Sequence, residues 1–203
     1  MRICIREARK EDSPFIANTV INAIGAEESS AALDNSAYDI FNCLSSMERS
    51  QYSYTNALVA EIESSQRVEL AGAIVGYYGG LLHELRSITY QVIKEYTGKS
   101  ITIEDETDAS EFYLDSLAVE PQYQGMGIGR SLLCALRQHA FDSGYQRVGL
   151  LVDMQKERAQ HLYSSVGFVR VGVKNFLGHD MWHMQSTPST TIDSTFATAK
   201  IES

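Results

Sequence analysis

The residues Gln124-Gly125-Met126-Gly127-Ile128-Gly129 hold the chain's most informative chemistry. Glycines at alternate positions let the backbone take conformations closed to other residues and let a ligand approach closely. A strand-like run, EFYLDSLAV, precedes them and a helix-like run, SLLCALRQHAFDSG, follows. The free amides of the turn and of the first helical turn would then point at one spot, with the helix dipole adding positive potential there. This suits a phosphate or pyrophosphate, and Arg130 would supply a further charge. Without a ligand the same glycines make only a tight turn. The nucleotide-loop pattern G-x-x-x-x-G-K-[ST] is absent, and the dinucleotide pattern G-x-G-x-x-G would need glycine where Arg130 stands. An acidic residue at the end of a later strand, Asp153, keeps a nucleotide-dependent oxidoreductase in view.

The run from Leu117 to Leu133, LAVEPQYQGMGIGRSLL, resembles the acyl-CoA-binding motif of the GNAT superfamily of N-acetyltransferases, Q/R-x-x-G-x-G/A. Gln124, Gly127 and Gly129 occupy its defining places. Downstream, Ala159, Leu162, Tyr163, Gly167 and Phe168 match the superfamily's second signature, A-x-x-L-Y-x-x-x-G-F. The resemblance covers residues from about Glu111 to Gln185; upstream, only the order of strands and helices is compatible. Lys156 departs from it, standing where many members carry Asn.

The resemblance implies acetyl-CoA as cosubstrate and no metal. It implies backbone pairing of Leu117, Ala118 and Val119 with the pantetheine arm, and a backbone amide near Val119 to stabilise developing oxyanion charge. The pyrophosphate falls to Gln124, Gly125, Met126, Gly127, Ile128, Gly129, Arg130 and Ser131, and Ala159 and Tyr163 complete the cofactor contacts. Tyr163 would protonate the departing thiolate; its bland alternative is a core aromatic at helical spacing. The enzyme would align two substrates for direct transfer, with no covalent enzyme intermediate.

The attacking amine must be neutral, so a group must take its proton. Under strict period-two alternation Glu111, Tyr113, Asp115, Leu117 and Val119 share one strand face, which makes Asp115 and Glu111 the candidate bases. Asp115, between Leu114 and Leu117, could have a raised proton affinity or bind a cationic amine. The alternatives are a structural carboxylate for Asp115, an exposed strand end for Glu111, and a water chain as base. His179 and His183, four apart in a strand-like segment beside Asp180, read as strand packing rather than a metal pair. His83 could line the substrate side.

These residues need a scaffold. Strands are expected at Arg2–Ala8, in ALVAEI and ELAGAIVGYY, at Glu111–Val119 and Arg147–Asp153, and in FVRVGV and HDMWHMQ. Helices are expected from Ser13-Pro14 to Gly25, within Ser29–Arg49, along Leu81, Leu85, Ile88, Val92 and Tyr96, after the glycine turn, and in ERAQHLYSSVG. The acids of Glu104–Asp108 read as a solvated turn. The order predicts an α/β (α+β) GNAT-like fold: a mixed, mostly antiparallel twisted sheet with splayed central strands, flanked by helices. The domain would span 1–185, with its CoA-binding core at 111–168, and a flexible Ser/Thr-rich tail at 186–203.

The 203 residues suit one domain, and a formal charge of −9 argues against a nucleic-acid partner while leaning weakly towards a cationic acceptor. Cys4, Cys43 and Cys134 form no metal or redox spacing and read as reduced thiols. No signal-peptide pattern or apolar run of spanning length appears, which points to the cytoplasm and away from a membrane. A tail held by a neighbouring surface hints at a homodimer. The reading is an N-acetyltransferase acting on an amine-bearing small molecule or peptide. Its alternative is a non-catalytic acyl-CoA sensor or interaction module on the same fold.

Overall fold

A computed structural model describes residues 2–25, 33, 35–64, 67–189 and 201–202. The elements run β1 (Arg2–Glu7), α1 (Ser13–Ile24), α2 (Ala37–Ser46), β2 (Ala57–Glu63), β3 (Val68–Tyr78), α3 (Leu82–Thr97), β4 (Phe112–Val119), α4 (Ile128–Asp142), β5 (Val148–Asp153), α5 (Glu157–Ser165), β6 (Val169–Phe176), β7 (His179–Ser186) and β8 (Ile201–Glu202). They build one mixed sheet in the order β6-β7-β5-β4-β3-β2-β1-β8. Its pairs are antiparallel except β4 with β5 and β1 with β8.

Alternation along the central strands divides the core between the two faces of the sheet. Leu58, Ala60 and Ile74 pack with Leu132, Leu133 and Leu136 of α4. Val59, Ala73 and Val75 pack with Ile16 and Val20 of α1, Ile40 and Leu44 of α2, and Val92 and Ile93 of α3. Each fully buried Leu, Ile or Val contributes about 1.5–3 kcal/mol. Among the described residues, no helix is long and apolar enough to cross a membrane.

β4 lies against β3 from Phe112↔Tyr78 to Val119↔Gly72. Against β5 it pairs only at Phe112↔Val148 and Tyr113↔Gly149, and the two strands then part. A bulge stands at the point of parting. Leu114 faces Gly76 and Ser116 faces Val75, leaving Asp115 without a partner. One extra residue bends a strand and inverts its alternation. Phe112 and Leu114 before the bulge, and Leu117 and Val119 after it, therefore all pack towards α4. Tyr113 packs on the opposite face with Tyr77, Leu82 and Leu85. The shared face expected for Glu111, Tyr113, Asp115, Leu117 and Val119 is thus corrected: alternation fails at Asp115.

Other differences have equally local causes. The buried face of α3 is Leu82, Leu85, Arg86, Thr89, Val92 and Ile93, whereas Leu81 and Tyr96 are exposed. An ion-paired arginine occupies the core-facing row that apolar periodicity alone assigns one position away. The expected helix Ser29–Arg49 is seen as α2, ending at Ser46; residues 26–32 and 34 lie outside the described residues. β7 runs through Ser186, whose Oγ accepts from Arg137 Nε at 2.6 Å. At the chain's end Ile201 and Glu202 pair in parallel with Ile5 and Arg6 of β1. Residues 201–202 thus meet the chain's own sheet; residues 190–200 lie outside the described residues.

Candidate active site

The glycine turn owes its shape to the backbone. Gly125 and Gly127 have φ of 78° and 81°, in the left-handed region that favours glycine. A Cβ built on either meets nothing within 4 Å, so both face open space. Gly127 caps α4, and the first bond of that helix runs from Ser131 N to Gly127 O at 3.0 Å. Among the described residues, no backbone acceptor serves the amides of Gly127, Ile128 and Gly129. Orphan amides at a helix N-terminus, beside glycines with open space before them, fit a pyrophosphate.

The side chains around the turn hold it in place. Gln124 Nε2 donates to Val119 O at 3.1 Å, tying the turn to the end of β4. Ser131 Oγ donates to Gly127 O at 3.2 Å. Ile128 is buried under the turn, Met126 is exposed, and Gly129 stands at ordinary contact distance from Val119 and Leu162. Arg130 Nη1 donates to Ser165 Oγ at 2.8 Å, so this guanidinium fastens α4 to α5. Leu117 and Val119 line the strand that departs from β5, on the α4 side, with Ala118 between them. Lys156 precedes α5, its backbone amide bonded to Asp153 O at 3.1 Å.

Tyr163 and Ala159 of α5 pack against the same cluster. The Tyr163 ring stands edge-on to Phe168, 6.1 Å between centroids. Among the described residues its hydroxyl has no hydrogen-bond partner, and burial pushes its pKa up to about 12. A phenol so placed holds its proton at neutral pH.

The opposite face of β4 carries a second, differently built region. A cavity of about 170 Å³ reaches Tyr113 and Asp115 where β4 leaves β5. Ile24, Leu33, Phe41, Ile93, Ile101 and Phe176 supply apolar walls. Gln51, Arg86, Glu106 and Asp115 form the polar end. There Arg86 forms an ion pair with Glu106, and its Nη1 donates to Asp105 Oδ1 at 2.9 Å and to Ile103 O at 3.1 Å. Tyr77 Oη donates to Glu106 Oε1 at 2.8 Å and approaches Asp115 Oδ2 at 3.4 Å, while Gln51 Nε2 reaches both Tyr77 and Glu106 at 3.1 Å. Ser116 Oγ donates to Asp115 Oδ1 at 2.7 Å. Burial raises the Asp115 pKa to about 6, against the opposing pull of the Ser116 and Tyr77 hydroxyls and Arg86. A carboxylate with that value exchanges protons near neutrality.

Glu111 is neither exposed nor beside Asp115. Its carboxylate, fully buried, accepts from Gln185 Nε2 at 2.7 Å and from Thr107 Oγ1 at 2.9 Å, with His183 Nε2 at 3.0 Å. Burial opposes its ionisation, yet the bonds from His183, Gln185 and Thr107 prevail and hold its pKa below the usual value. It lies against Gly149, where a Cβ would fall 1.8 Å from Glu111 Oε2. Glu111 thus clamps β4 to β5 and β7 at the closed end of the wedge. His183 is absorbed into that clamp, and the exposed His83 meets Asp105 at 3.3 Å rather than the cavity. Among the described residues no cluster could hold a metal ion.

Sequence reasoning missed Gln51, Tyr77, Arg86 and Glu106. Arg86 carried a signal, a charge in the apolar row of α3. Glu106 sat in a run of acids that resembled solvated surface, but it is buried.

The family model for the acetyltransferase (GNAT) family matches residues 35–168. The chain belongs to the GNAT acetyltransferase family. A crystal structure of an acetyltransferase superposes with a TM-score of 0.75 at 32% identity, covering 90% of this chain and 98% of that one. The N-acetyltransferase from Staphylococcus aureus Mu50 superposes at 0.73 with 24% identity, over 89% of this chain and 98% of that one, a likeness of fold. Among curated proteins, mycothiol acetyltransferase of Nocardiopsis dassonvillei is 44% identical over 52 residues, 26% of this chain and 16% of that protein. Thialysine N-epsilon-acetyltransferase of Bos taurus is 27% identical over 114 residues, 56% of this chain and 55% of that protein. The matches to the first mycothiol acetyltransferases span only 16–17% of those proteins' length. The sheet, its splayed central strands and the acyltransferase class expected from the motifs therefore stand.

Proposed function

We propose that this acyltransferase moves an acetyl group from acetyl-CoA to a primary amine, with Asp115 as base and Tyr163 as acid. The observation that carries the reading is the parting of β4 and β5 after Tyr113↔Gly149, with Asp115 lining the cavity on the α1–α3 side of β4 and Tyr163 packed on the α4–α5 side. Acetyl-CoA supplies an acyl group activated as a thioester. The amides from Gly125 to Arg130 would hold its pyrophosphate, with Gln124 and Ser131 keeping the turn in shape. The backbone of Leu117, Ala118 and Val119, no longer paired with β5, would hold the pantetheine arm. Ala159 and Tyr163 would complete that wall from α5.

Asp115 would accept the proton of the incoming ammonium and so free its lone pair. Its raised pKa helps here, because a base near the working pH combines sufficient basicity with sufficient ionised fraction. Tyr163 would return a proton to the leaving sulfur. Alignment of two substrates in one gap supplies the rest, on the order of 7–11 kcal/mol in well-oriented systems.

The test is a panel of primary amines with acetyl-CoA, reading free thiol release and product mass. Transfer to at least one amine, lost in the Asp115→Asn variant, supports the proposal. Tight acetyl-CoA binding without transfer to any amine class would point to a sensor on the same fold.

A further inference from the structure

We infer that the acceptor is a monoamine with an apolar body of one ring or a short alkyl chain, its ammonium at Asp115 and its body in the cavity between α1, α2, α3 and the β6–β7 turn. This deepens, and rests on, the amine-acetylation reading. Three observations carry it: the size of the cavity, the chemistry of its walls, and its balance of charge.

The volume is about 170 Å³. A cavity of about 150 Å³ lined by Leu, Ile and Phe accommodates benzene. The space here therefore suits a phenyl ring or an alkyl chain of about six carbons. A sugar-based polyamine or a peptide segment would not fit within it and would have to extend outside.

The walls away from β4 are mostly apolar, with Tyr52 and Thr89 contributing ring and methyl surface as well as their hydroxyls. Phe41 and Ile93 come from α2 and α3, Ile101 from the segment after α3, and Phe176 and Leu177 from the β6–β7 turn. That turn is fixed to the acidic segment by Leu177 N donating to Glu104 Oε2 at 3.3 Å. A second ammonium placed against Phe41, Ile93, Ile101, Phe176 and Leu177 would lose water without gaining a partner, which is costly.

The charges set the number of amines. Arg86 already serves Glu106, Asp105 and the Ile103 carbonyl. Lys174 Nζ is bonded to the Glu106 carbonyl at 3.2 Å. Asp115 is the remaining carboxylate of the wall, and it has no ion-pair partner among the described residues. One ammonium would be neutralised there, and among the described residues of the wall the other carboxylate, Glu106, is already paired with Arg86. The geometry orients the ligand: its cationic end lies where β4 and β5 part, its body pointing away from the glycine turn.

The experiment measures binding and turnover separately, on the full chain saturated with CoA for binding and supplied with acetyl-CoA for turnover. Calorimetry compares hexylamine, 2-phenylethylamine, ethylamine and spermidine. Four additional methylenes entering an apolar cavity should make hexylamine bind about tenfold or more tighter than ethylamine. 2-Phenylethylamine should match hexylamine, and spermidine should fall with ethylamine. Ile101→Trp, a partly exposed position outside regular structure, would fill the cavity, so the hexylamine-to-ethylamine affinity ratio should collapse to about one. If that variant does not fold, the ladder on the parent protein still decides. Equal affinity for hexylamine and ethylamine, or tighter binding of spermidine, overturns the inference even if acetylation is observed. Selective hexylamine binding without acetyl transfer would uphold the cavity's preference and overturn the catalytic reading instead.

Discussion

The two faces of β4 hold two regions built on opposite principles. On the α4 side, the turn from Gln124 to Ser131 is contiguous in the chain and works through backbone, with glycines at positive φ and amides without acceptors. On the α1–α3 side, the cavity gathers side chains from residue 24 to residue 177 and works through shape, burial and one poised carboxylate. The first geometry suits any ligand with a pyrophosphate, whereas the second selects by what its walls exclude. A family can keep the first and vary the second, because changing a wall residue leaves the turn untouched.

Substitutions at Asp115 should separate the two regions most sharply. Asp115→Asn keeps the shape and removes the base, and acetyl transfer at neutral pH should fall about 10²- to 10⁴-fold. Acetyl-CoA affinity should stay level, and much of the rate should return in alkali, where the amine loses its proton unaided. In the parent, kcat/KM should climb as pH passes about 6, where Asp115 ionises. Equal turnover by parent and variant at neutral pH would leave the carboxylate a structural one.

The same residue links to stability. Burial raises the folded-state pKa from 3.8 to about 6, so the native state binds the proton more tightly than the unfolded chain does. The parent should then lose stability as pH rises from about 4 through about 6, and Asn, which cannot ionise, should not. Above pH 7 the variant should be the more stable by up to about 3 kcal/mol, read by denaturant unfolding across a pH series. A parallel pH dependence for both proteins would contradict the burial argument.

This contrast also explains what the sequence made legible. A backbone site leaves a contiguous signature, so Gly125, Gly127 and Gly129 declared themselves, as did the order of strands and helices that holds them. A side-chain site assembled from distant segments leaves none. Glu106 resembled its solvated neighbours, and only its approach to Arg86 and Tyr77 shows its role. Alternation could not foresee the bulge at Asp115, because nothing in FYLDSLAV marks which residue loses its partner. Glu111 was misplaced for the related reason that its partners, His183 and Gln185, lie on β7, more than 70 residues away.

Tyr163→Phe probes the acid on the α4–α5 side while keeping the ring against Phe168. Turnover should drop by about 10²-fold with acetyl-CoA affinity little changed. Full turnover in pre-steady-state and steady-state assays would return Tyr163 to a packing role.

Glu111 offers the counterpart to Asp115, since its pKa is held down rather than up. Its stabilisation is present above the unfolded value of 4.5 and is lost as pH falls below it. Glu111→Gln should lower stability at neutral pH by about 2 kcal/mol, through weakened charge-assisted bonds, and should leave the acid limb of kcat/KM where it was. Movement of that limb would transfer the base role to Glu111.

The smallest expected effect tests the turn itself and needs two substitutions to be read cleanly. Gly127→Val places a β-branched residue at φ 81°, so any loss of binding could reflect backbone strain alone. Asn tolerates the left-handed region far better, and a Cβ at this position meets nothing within 4 Å, so Gly127→Asn should keep the fold. Its side chain then projects into the space that the free amides of Ile128 and Gly129 address. If the pyrophosphate lies there, acetyl-CoA affinity should fall about tenfold or more, about 1.4 kcal/mol, with the melting temperature nearly unchanged. Hexylamine binding, on the other face of β4, should not respond. Calorimetry giving parental acetyl-CoA affinity for Gly127→Asn would move the pyrophosphate away from the turn, and a fall in amine affinity would show that the two faces are not independent.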